Sequence, residues 1–214
     1  MHSLIELKKS YDKKKHEIKE RLEGFKKIWE KSDEEIFAEL CFCLLTPQSK
    51  ARAADRAMKS LLEKKILFSG DKEQILKELI NACVRFPENK SKYILEAREF
   101  FTHDGKIGIK SKLDKGTEYS KREWLVNNVK GLGYKEASHF LRNIGLGFEL
   151  AILDRHIMKN LMKHGVIDEI PGCLSRKCYL FFEEKMKKFS KKIDIPMADL
   201  DLLFWSEETG EIFK

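Results

Sequence analysis

The sequence lacks the features of an exported or membrane protein. No apolar run approaches the ~20 residues that a membrane-spanning helix needs, so a transmembrane protein is excluded. The N-terminal segment MHSLIELKKSYDKKK has no apolar core of the kind that a secretory signal carries. We therefore expect a cytoplasmic protein, and its 214 residues suffice for one large domain or two small ones.

Cysteine is too sparse for a disulfide framework or a metal cluster. Five cysteines are an odd number in a chain without an export signal, which favours reduced thiols. Cys41 and Cys43 lie in an apolar stretch and are predicted core residues, whereas Cys173 and Cys178 have no second pair with which to hold a metal. A structural zinc or iron–sulfur site is therefore not expected. Basic residues outnumber acidic ones by 42 to 35, which permits a polyanionic partner without requiring one.

Alternating strand patterns are nearly absent, and helical spacing recurs along the chain. Ser32 and Glu35 form a capping-box pattern just before the apolar run Ile36 to Leu45, which predicts a buried central helix. Ile66–Phe68 is predicted as a short extended piece and His103–Gly116 as a loop or hinge. The fold class is therefore all-α. Further helices are predicted over the first 30 residues, near Ser49, around Ile75–Ile80, after Pro87, up to Val129, over Tyr134–Ile144, and from Asp154, Ser175 and Pro196.

The most informative segment is a predicted hairpin of two helices joined by a turn that contains Gly131 and Gly133. Lys135 falls in the first turn of the second helix, where the positive end of the helix dipole opposes a cation and favours a neutral, nucleophilic amine. Asp154 follows an apolar triplet and suits a helix N-cap, and its carboxylate could also stabilise a developing cation. An ordinary hairpin with a solvated lysine explains the same residues.

These residues resemble a known family. KGLGYKEASHFLRN followed by AILDRHI is similar to the helix–hairpin–helix, glycine/proline-rich, aspartate superfamily of base-excision DNA glycosylases, and most similar to its archaeal-type 8-oxoguanine DNA glycosylase/AP lyases. The resemblance runs from LCFCLLTPQSKA to the terminal LDLLFWSEETGEIFK. It implies a single domain over 1–214 with two helical lobes and a substrate cleft between them. One lobe, around 35–150, would contain the hairpin, and the other would join the N-terminal helix to 151–214.

The resemblance also implies a reaction and a partner, which is duplex DNA containing 8-oxoguanine. Lys135 would attack the deoxyribose C1′ and form a Schiff base, Asp154 would stabilise the oxocarbenium-like charge, and β-elimination would nick the strand. A monomer would act without a cofactor, a catalytic metal, a membrane or an obligate protein partner. The resemblance places DNA contacts at Gly131, Gly133, Tyr134, His139 and Arg155, and a structural cation at the carbonyls of Asn127, Val129 and Leu132. His139 and Arg155 could equally be surface residues.

Four further residues are implied to contact the damaged base or the gap that it leaves. Gln48 sits where the family places a polar wedge, whose amide could bond to the orphaned partner base. Phe86 and Trp205 resemble the aromatic walls of the base pocket, although both could be core residues. Lys214 ends the sequence, and in this branch the carboxylate of a terminal lysine lies at the base pocket; a frayed tail is the alternative.

Three other functions compete with this interpretation. An endonuclease III-like glycosylase would use the same lysine and aspartate on oxidised pyrimidines, but the four-cysteine cluster typical of that branch is missing from the sequence. A non-catalytic helix–hairpin–helix module would bind duplex DNA and leave Lys135 and Asp154 without a joint role. An α-helical scaffold would show no salt-sensitive DNA binding at all.

Overall fold

The structure, a computed structural model, describes residues 4–213, and helices make up most of this range, as predicted. The only strands described there pair as a two-stranded antiparallel hairpin in which Thr102 lies opposite Ile107. The elements are α1 Leu4–Ile28, α2 Asp33–Leu45, α3 Ala51–Glu63, α4 Ile66–Ser69, α5 Lys72–Asn81, α6 Pro87–Phe101, β1 Thr102–His103, β2 Lys106–Ile107, α7 Lys110–Leu113, α8 Glu118–Asn128, α9 Tyr134–Asn143, α10 Arg155–Lys163, α11 Arg176–Ile193 and α12 Met197–Thr209.

The chain divides into two compact units. The hairpin unit comprises Ile28–Phe140, and the terminal unit joins the segment up to Lys27 to the segment from Leu141 onward. The lobe boundaries that the resemblance implied, near 35 and 150, stay a prediction. No helix among the described residues is both long enough and apolar enough to cross a membrane.

Helix α2 is the centre of the hairpin unit. The predicted capping box is confirmed, because Ser32 Oγ accepts from Glu35 N–H at 3.2 Å and Glu35 Oε2 accepts from Ser32 N–H at 3.3 Å. Nine of the thirteen residues of α2 are buried, including Cys41 and Cys43, as expected of core thiols. Helices α3 and α6 pack against α2, and α5 packs against both of them. This packing fixes the chain segments that follow α2 and precede α6.

In the terminal unit, α10 and α11 pack against α12, and α1 is held to α12 by a buried polar cluster. Tyr11 donates a hydrogen bond of 2.6 Å to Oδ2 of Asp199, and Lys19 Nζ lies 2.9 Å from the same oxygen. Burial and the Asp199 carboxylate raise the pKa of Tyr11, so the phenol stays neutral and remains a donor. The cluster fixes the helix that carries Arg21, a residue that contacts the C-terminal segment.

Two local predictions were wrong. Ile66–Phe68 is helical rather than extended, because Lys65 adopts a left-handed conformation and Gly70 N–H closes the turn on Ile66 O at 2.8 Å. A three-residue segment satisfies its backbone more easily through such local bonds than through a strand partner. The predicted loop His103–Gly116 holds β2, part of β1 and α7. Its Asp104-Gly105 pair has positive φ at both positions, as the tight turn of a hairpin requires.

Candidate active site

The predicted hairpin is formed by α8, a turn and α9. Helix α8 closes with Val129 N–H on Leu125 O at 2.8 Å, and the turn is tightened by Leu132 N–H on Val129 O at 3.2 Å. Gly131 has φ +85°, and a side chain there would overlap the Tyr93 ring. The turn therefore requires glycine, and its exposed backbone is a surface that phosphate can approach.

Helix α9 presents two different faces. Its predicted core stripe is confirmed, since Ala137, Phe140, Leu141 and Ile144 just beyond the helix are fully buried. Lys135 lies off that stripe, in the first turn, with its side chain 24% exposed. Its Nζ is 3.2 Å from the carboxylate of Glu136, which is more deeply buried. The amine is thus held in a partly desolvated position beside one carboxylate, in the first turn as predicted.

Asp154 caps helix α10 in the terminal unit. Its Oδ1 accepts from the backbone N–H groups of His156 and Ile157, both at 2.8 Å, which confirms the predicted N-cap. Among residues 4–213, Oδ2 has no hydrogen-bond donor. Because one oxygen is fixed by the helix and the other is not, the carboxylate can hold its orientation and still face a positive charge.

The buried segment 151–153, which leads to Asp154, is held by helix α11. Tyr179 donates to Ala151 O at 2.6 Å and accepts from Leu153 N–H at 3.2 Å. Glu183 Oε1 accepts from Ala151 N–H at 2.8 Å. These bonds satisfy backbone groups that no helix or sheet pairs, so the position of Asp154 is set by its support on α11.

Gln48 and Phe86 lie on two turns of the hairpin unit that are bonded to each other. Both residues are exposed and both have φ +55°, a left-handed conformation that costs a non-glycine residue about 1–2 kcal/mol. Ser49 Oγ accepts from Arg85 N–H at 2.9 Å and so joins the turn that follows α2 to the turn that precedes α6. Strained backbone of this kind clusters at functional sites. The structure thus brings a predicted wedge and a predicted pocket wall onto neighbouring turns.

Trp205 lies on α12 of the terminal unit and is partly exposed. Its ring centre is 6.3 Å from that of Phe213, near the end of the chain, and Arg21 Nε donates to Phe213 O at 2.8 Å. Lys214 lies outside the described residues, so its predicted role at the base pocket stays a prediction. The segment that leads to it is held by Arg21 and packs near Trp205.

The remaining predicted DNA contacts differ in their surroundings. Gly133 and Arg155 are exposed, as a DNA contact requires. Tyr134 is half-buried, and its hydroxyl donates to Glu123 at 2.7 Å, so only part of the ring remains accessible. His139 is only 7% exposed, with its ring centre 5.9 Å from that of Phe42. This burial favours a core role for His139 over a phosphate contact.

The carbonyls predicted to hold a cation lie at the end of α8 and in the turn. Within the described residues, Val129 O accepts the Leu132 N–H bond, while exposed Asn127 lies in the last turn of α8, where helix carbonyls lack helical partners. Neutral carbonyls are the ligands that a monovalent cation takes, and the cation site at these three residues stays a prediction. Residues 4–213 contain no cluster of three or more His, Cys, Asp or Glu side chains that could hold a metal ion.

Lys90 and Glu136 contact predicted site residues or their turns, and the sequence did not single out either of them. Lys90 is 4% exposed and bonds to the turn that carries Gln48. Glu136 directly follows Lys135, which was the available signal for its contact with the lysine. No local pattern distinguishes Lys90 from the exposed Lys92 two residues later.

Comparison with known proteins identifies the family. A family model described as 8-oxoguanine DNA glycosylase matches residues 18–195. The 8-oxoguanine DNA glycosylase/AP lyase of Fusobacterium nucleatum is 48% identical over 98% of this chain and 96% of that protein. The crystal structure of the Thermotoga maritima 8-oxoguanine DNA glycosylase matches with a TM-score of 0.88 at 35% identity, covering 99% and 98% of the two chains. The Methanocaldococcus jannaschii glycosylase/lyase, crystallised with a 15mer DNA containing 8-oxoguanine, matches with a TM-score of 0.87 at 37% identity, covering 98% and 100%. The chain therefore belongs to the helix–hairpin–helix 8-oxoguanine DNA glycosylase family.

Proposed function

We propose that this protein removes 8-oxoguanine from duplex DNA and then nicks the strand at the abasic site. The observation that carries the proposal is a partly buried lysine, Lys135, in the first turn of a hairpin helix whose preceding turn requires glycine. Relatives named 8-oxoguanine DNA glycosylase/AP lyase over nearly the whole chain support both activities. We place the enzyme in the cytoplasm, acting as a monomer on chromosomal DNA without a cofactor.

Lys135 is the nucleophile in this proposal. Once its ammonium group has lost a proton, Nζ attacks C1′ of the damaged nucleotide, the N-glycosidic bond breaks, and the electron pair of that bond leaves with the base, which takes up a proton. Ring opening of the sugar then gives an imine between Nζ and C1′. Loss of a C2′ proton from the imine expels the 3′ phosphate and nicks the strand. Glu136, 3.2 Å from Nζ, lies within reach of the amine proton.

Asp154 stabilises the positive charge that develops on the sugar as the base departs. A carboxylate fixed by two backbone N–H groups needs little reorganisation when that charge appears, which is the condition for electrostatic stabilisation. Asp154→Asn keeps the helix cap, since asparagine caps helices as well as aspartate does, but removes the charge. This variant therefore separates the electrostatic role from the structural one.

The remaining residues bind and open the DNA. The exposed backbone of the Gly131 turn contacts phosphate, while Gln48 fills the gap left by the flipped nucleotide, and Phe86 and Trp205 stack on the extruded base. Stacking on an aromatic ring contributes about 1–3 kcal/mol per base in single-strand binders. Phe86 suits this role because it is 50% exposed, so its ring is accessible to a base, and the Arg85 guanidinium lies 5.4 Å from the ring centre.

Borohydride trapping tests the mechanism. The protein is mixed with a duplex carrying one 8-oxoguanine opposite cytosine, sodium borohydride is added, and the covalent adduct is resolved on a denaturing gel. We expect an adduct with the lesion duplex, none with an undamaged duplex, and none with Lys135→Gln. The matched control is Lys130→Gln, which removes the same charge from an exposed lysine of the turn and should still form the adduct.

Three results would overturn parts of the proposal. Trapping on a preformed abasic site but not on 8-oxoguanine would remove the glycosylase activity and leave the lyase. An adduct that persists in Lys135→Gln would reassign the nucleophile. An adduct with an oxidised pyrimidine in place of 8-oxoguanine would favour the endonuclease III-like alternative.

A further inference from the structure

A buried ammonium group lies under the turn that carries Gln48. Lys90, in the first turn of α6, is 4% exposed. Its Nζ donates to Leu45 O at 2.8 Å, to Pro47 O at 2.7 Å and to Ser49 Oγ at 2.9 Å. An ammonium group has three N–H donors, and here each has an acceptor. All three acceptors lie in the segment 45–49, which contains Gln48.

These bonds oppose a conformational strain. Gln48 has φ +55°, and the turn must hold this left-handed conformation although no glycine is present to relieve it. Lys90 bonds to the residues on both sides of Gln48, and Ser49 Oγ also accepts from Arg85 N–H, on the turn of Phe86. A single buried cation thus links the wedge turn to helix α6 and, through Ser49, to the predicted pocket wall.

We propose that Lys90 is a positioning residue for base excision, because its buried ammonium group holds the Gln48 turn in the conformation that enters the DNA. The proposal deepens the glycosylase function proposed above and rests on it. Lys90 itself touches neither the substrate nor the reacting atoms. It acts through Gln48, and a variant of Lys90 should therefore behave like a variant of Gln48.

The electrostatics of the site support a specific role for this lysine. The pKa of Lys90 is lowered from its ordinary value of 10.5 to about 8, mainly by burial. The positive charges of Lys135 and Arg85 contribute to the lowering, and Glu136 opposes it. This buried position therefore disfavours the charged form of Lys90, and the hydrogen bonds from its ammonium group to the turn offset that cost. Packing alone would favour an apolar side chain here.

A double-mutant cycle tests the proposal. Lys90→Met, Gln48→Ala and the double variant are compared with the unmodified protein in single-turnover excision of 8-oxoguanine and in cutting of a preformed abasic site. We expect Lys90→Met to slow excision about tenfold or more, and to slow abasic-site cutting less, because the abasic substrate has no base to extrude. In the Gln48→Ala background, Lys90→Met should have little further effect on excision. Lys92→Met, an exposed lysine of the same helix, is the matched control and should excise normally.

The alternative outcomes are distinct. The role of Lys90 would be overturned if the losses in excision rate of the two single variants multiplied in the double variant. It would also be overturned if Lys90→Met slowed excision and abasic-site cutting equally, or if a folded Lys90→Met excised normally. If Lys90→Met melts below the assay temperature, the cycle is repeated with Lys90→Arg and Lys90→Gln. Lys90→Arg keeps the charge and the donors and should retain more excision than Lys90→Gln. Equal excision rates in those two variants would also overturn the role of Lys90. Failure of the unmodified protein to form the borohydride adduct would instead contradict the proposed function, independently of Lys90.

Discussion

Two exposed turns of the hairpin unit each contain a residue with positive φ, but the two residues differ. The hairpin turn places Gly131 at φ +85°, and the turn after α2 places Gln48 at φ +55°. Glycine adopts such angles at no steric cost, whereas glutamine pays about 1–2 kcal/mol. In the proposed function the hairpin turn meets phosphate through its backbone alone, which is compatible with glycine. The turn after α2 is proposed to present the side chain of Gln48 to DNA, which glycine could not do.

The supports of the two turns differ accordingly. The hairpin turn packs directly on the ring of Tyr93, which leaves no room for a side chain on Gly131. The Gln48 turn is held from beneath by Lys90 through three hydrogen bonds. The comparison indicates that a functional side chain in a strained turn depends on a dedicated polar support, while a turn that works through its backbone depends on close packing.

The largest effect is expected at the hairpin turn. Gly131→Ala places a methyl group against the Tyr93 ring and forces alanine into a left-handed conformation. We expect a loss of about 3 kcal/mol in the free energy of unfolding, together with loss of duplex binding. Urea denaturation and fluorescence anisotropy with a labelled duplex measure the two effects.

The matched control for this substitution is Gly133→Ala, two residues later. A Cβ atom at Gly133 would meet only Glu136 Oε2, at 3.1 Å, which is the end of a flexible side chain. The variant should lose well under half as much stability as Gly131→Ala. Equal losses would show that the conformation of Gly131 does not limit the hairpin.

The second effect is a pH dependence that arises from Lys90, the support of the Gln48 turn. Lys90 has a pKa of about 8 in the fold against 10.5 ordinarily, so between these values the unfolded chain binds more protons than the folded chain. The unfolding free energy of the unmodified protein, relative to Lys90→Met, should therefore rise from pH 8 to pH 10.5, by on the order of 2 kcal/mol. Urea melts across this range measure the rise. Lys92→Met should keep the slope, and a Lys90→Met variant with an unchanged slope would contradict the assignment.

The same two turns show how far the sequence predicts the molecule. The hairpin turn, the core stripe of α9, the α2 capping box and the Asp154 cap follow from spacing over a few residues, because local hydrogen bonds and helical periodicity determine them. The Lys90 contacts join residues 41 to 45 positions apart, and no local pattern encodes them. His139 illustrates the same limit. One turn from Lys135, it could have faced DNA, but the packing of Phe42 places it in the core.

The smallest change in stability, and one of opposite sign, is expected when the strain itself is removed. Gln48→Gly relieves the left-handed conformation, and after the entropic cost of glycine it should stabilise the protein by about 0.5–1 kcal/mol. Excision of 8-oxoguanine should nevertheless fall about tenfold, because the wedge is gone. Thermal melts and single-turnover kinetics on the same preparation give both values.

Lys65→Gly is the control that relieves a left-handed conformation at a position with no proposed role in excision. Lys65 is exposed, has φ +59° and lies at the start of α4, a helix to which no DNA contact is assigned. Its replacement by glycine should give a similar gain in stability and leave excision unchanged. If Gln48→Gly also left excision unchanged, Gln48 would not be the wedge, and the strain and the buried support of its turn would need another cause. If both variants gain stability but only Gln48→Gly loses excision, the strained conformation at Gln48 is retained because it presents the glutamine side chain.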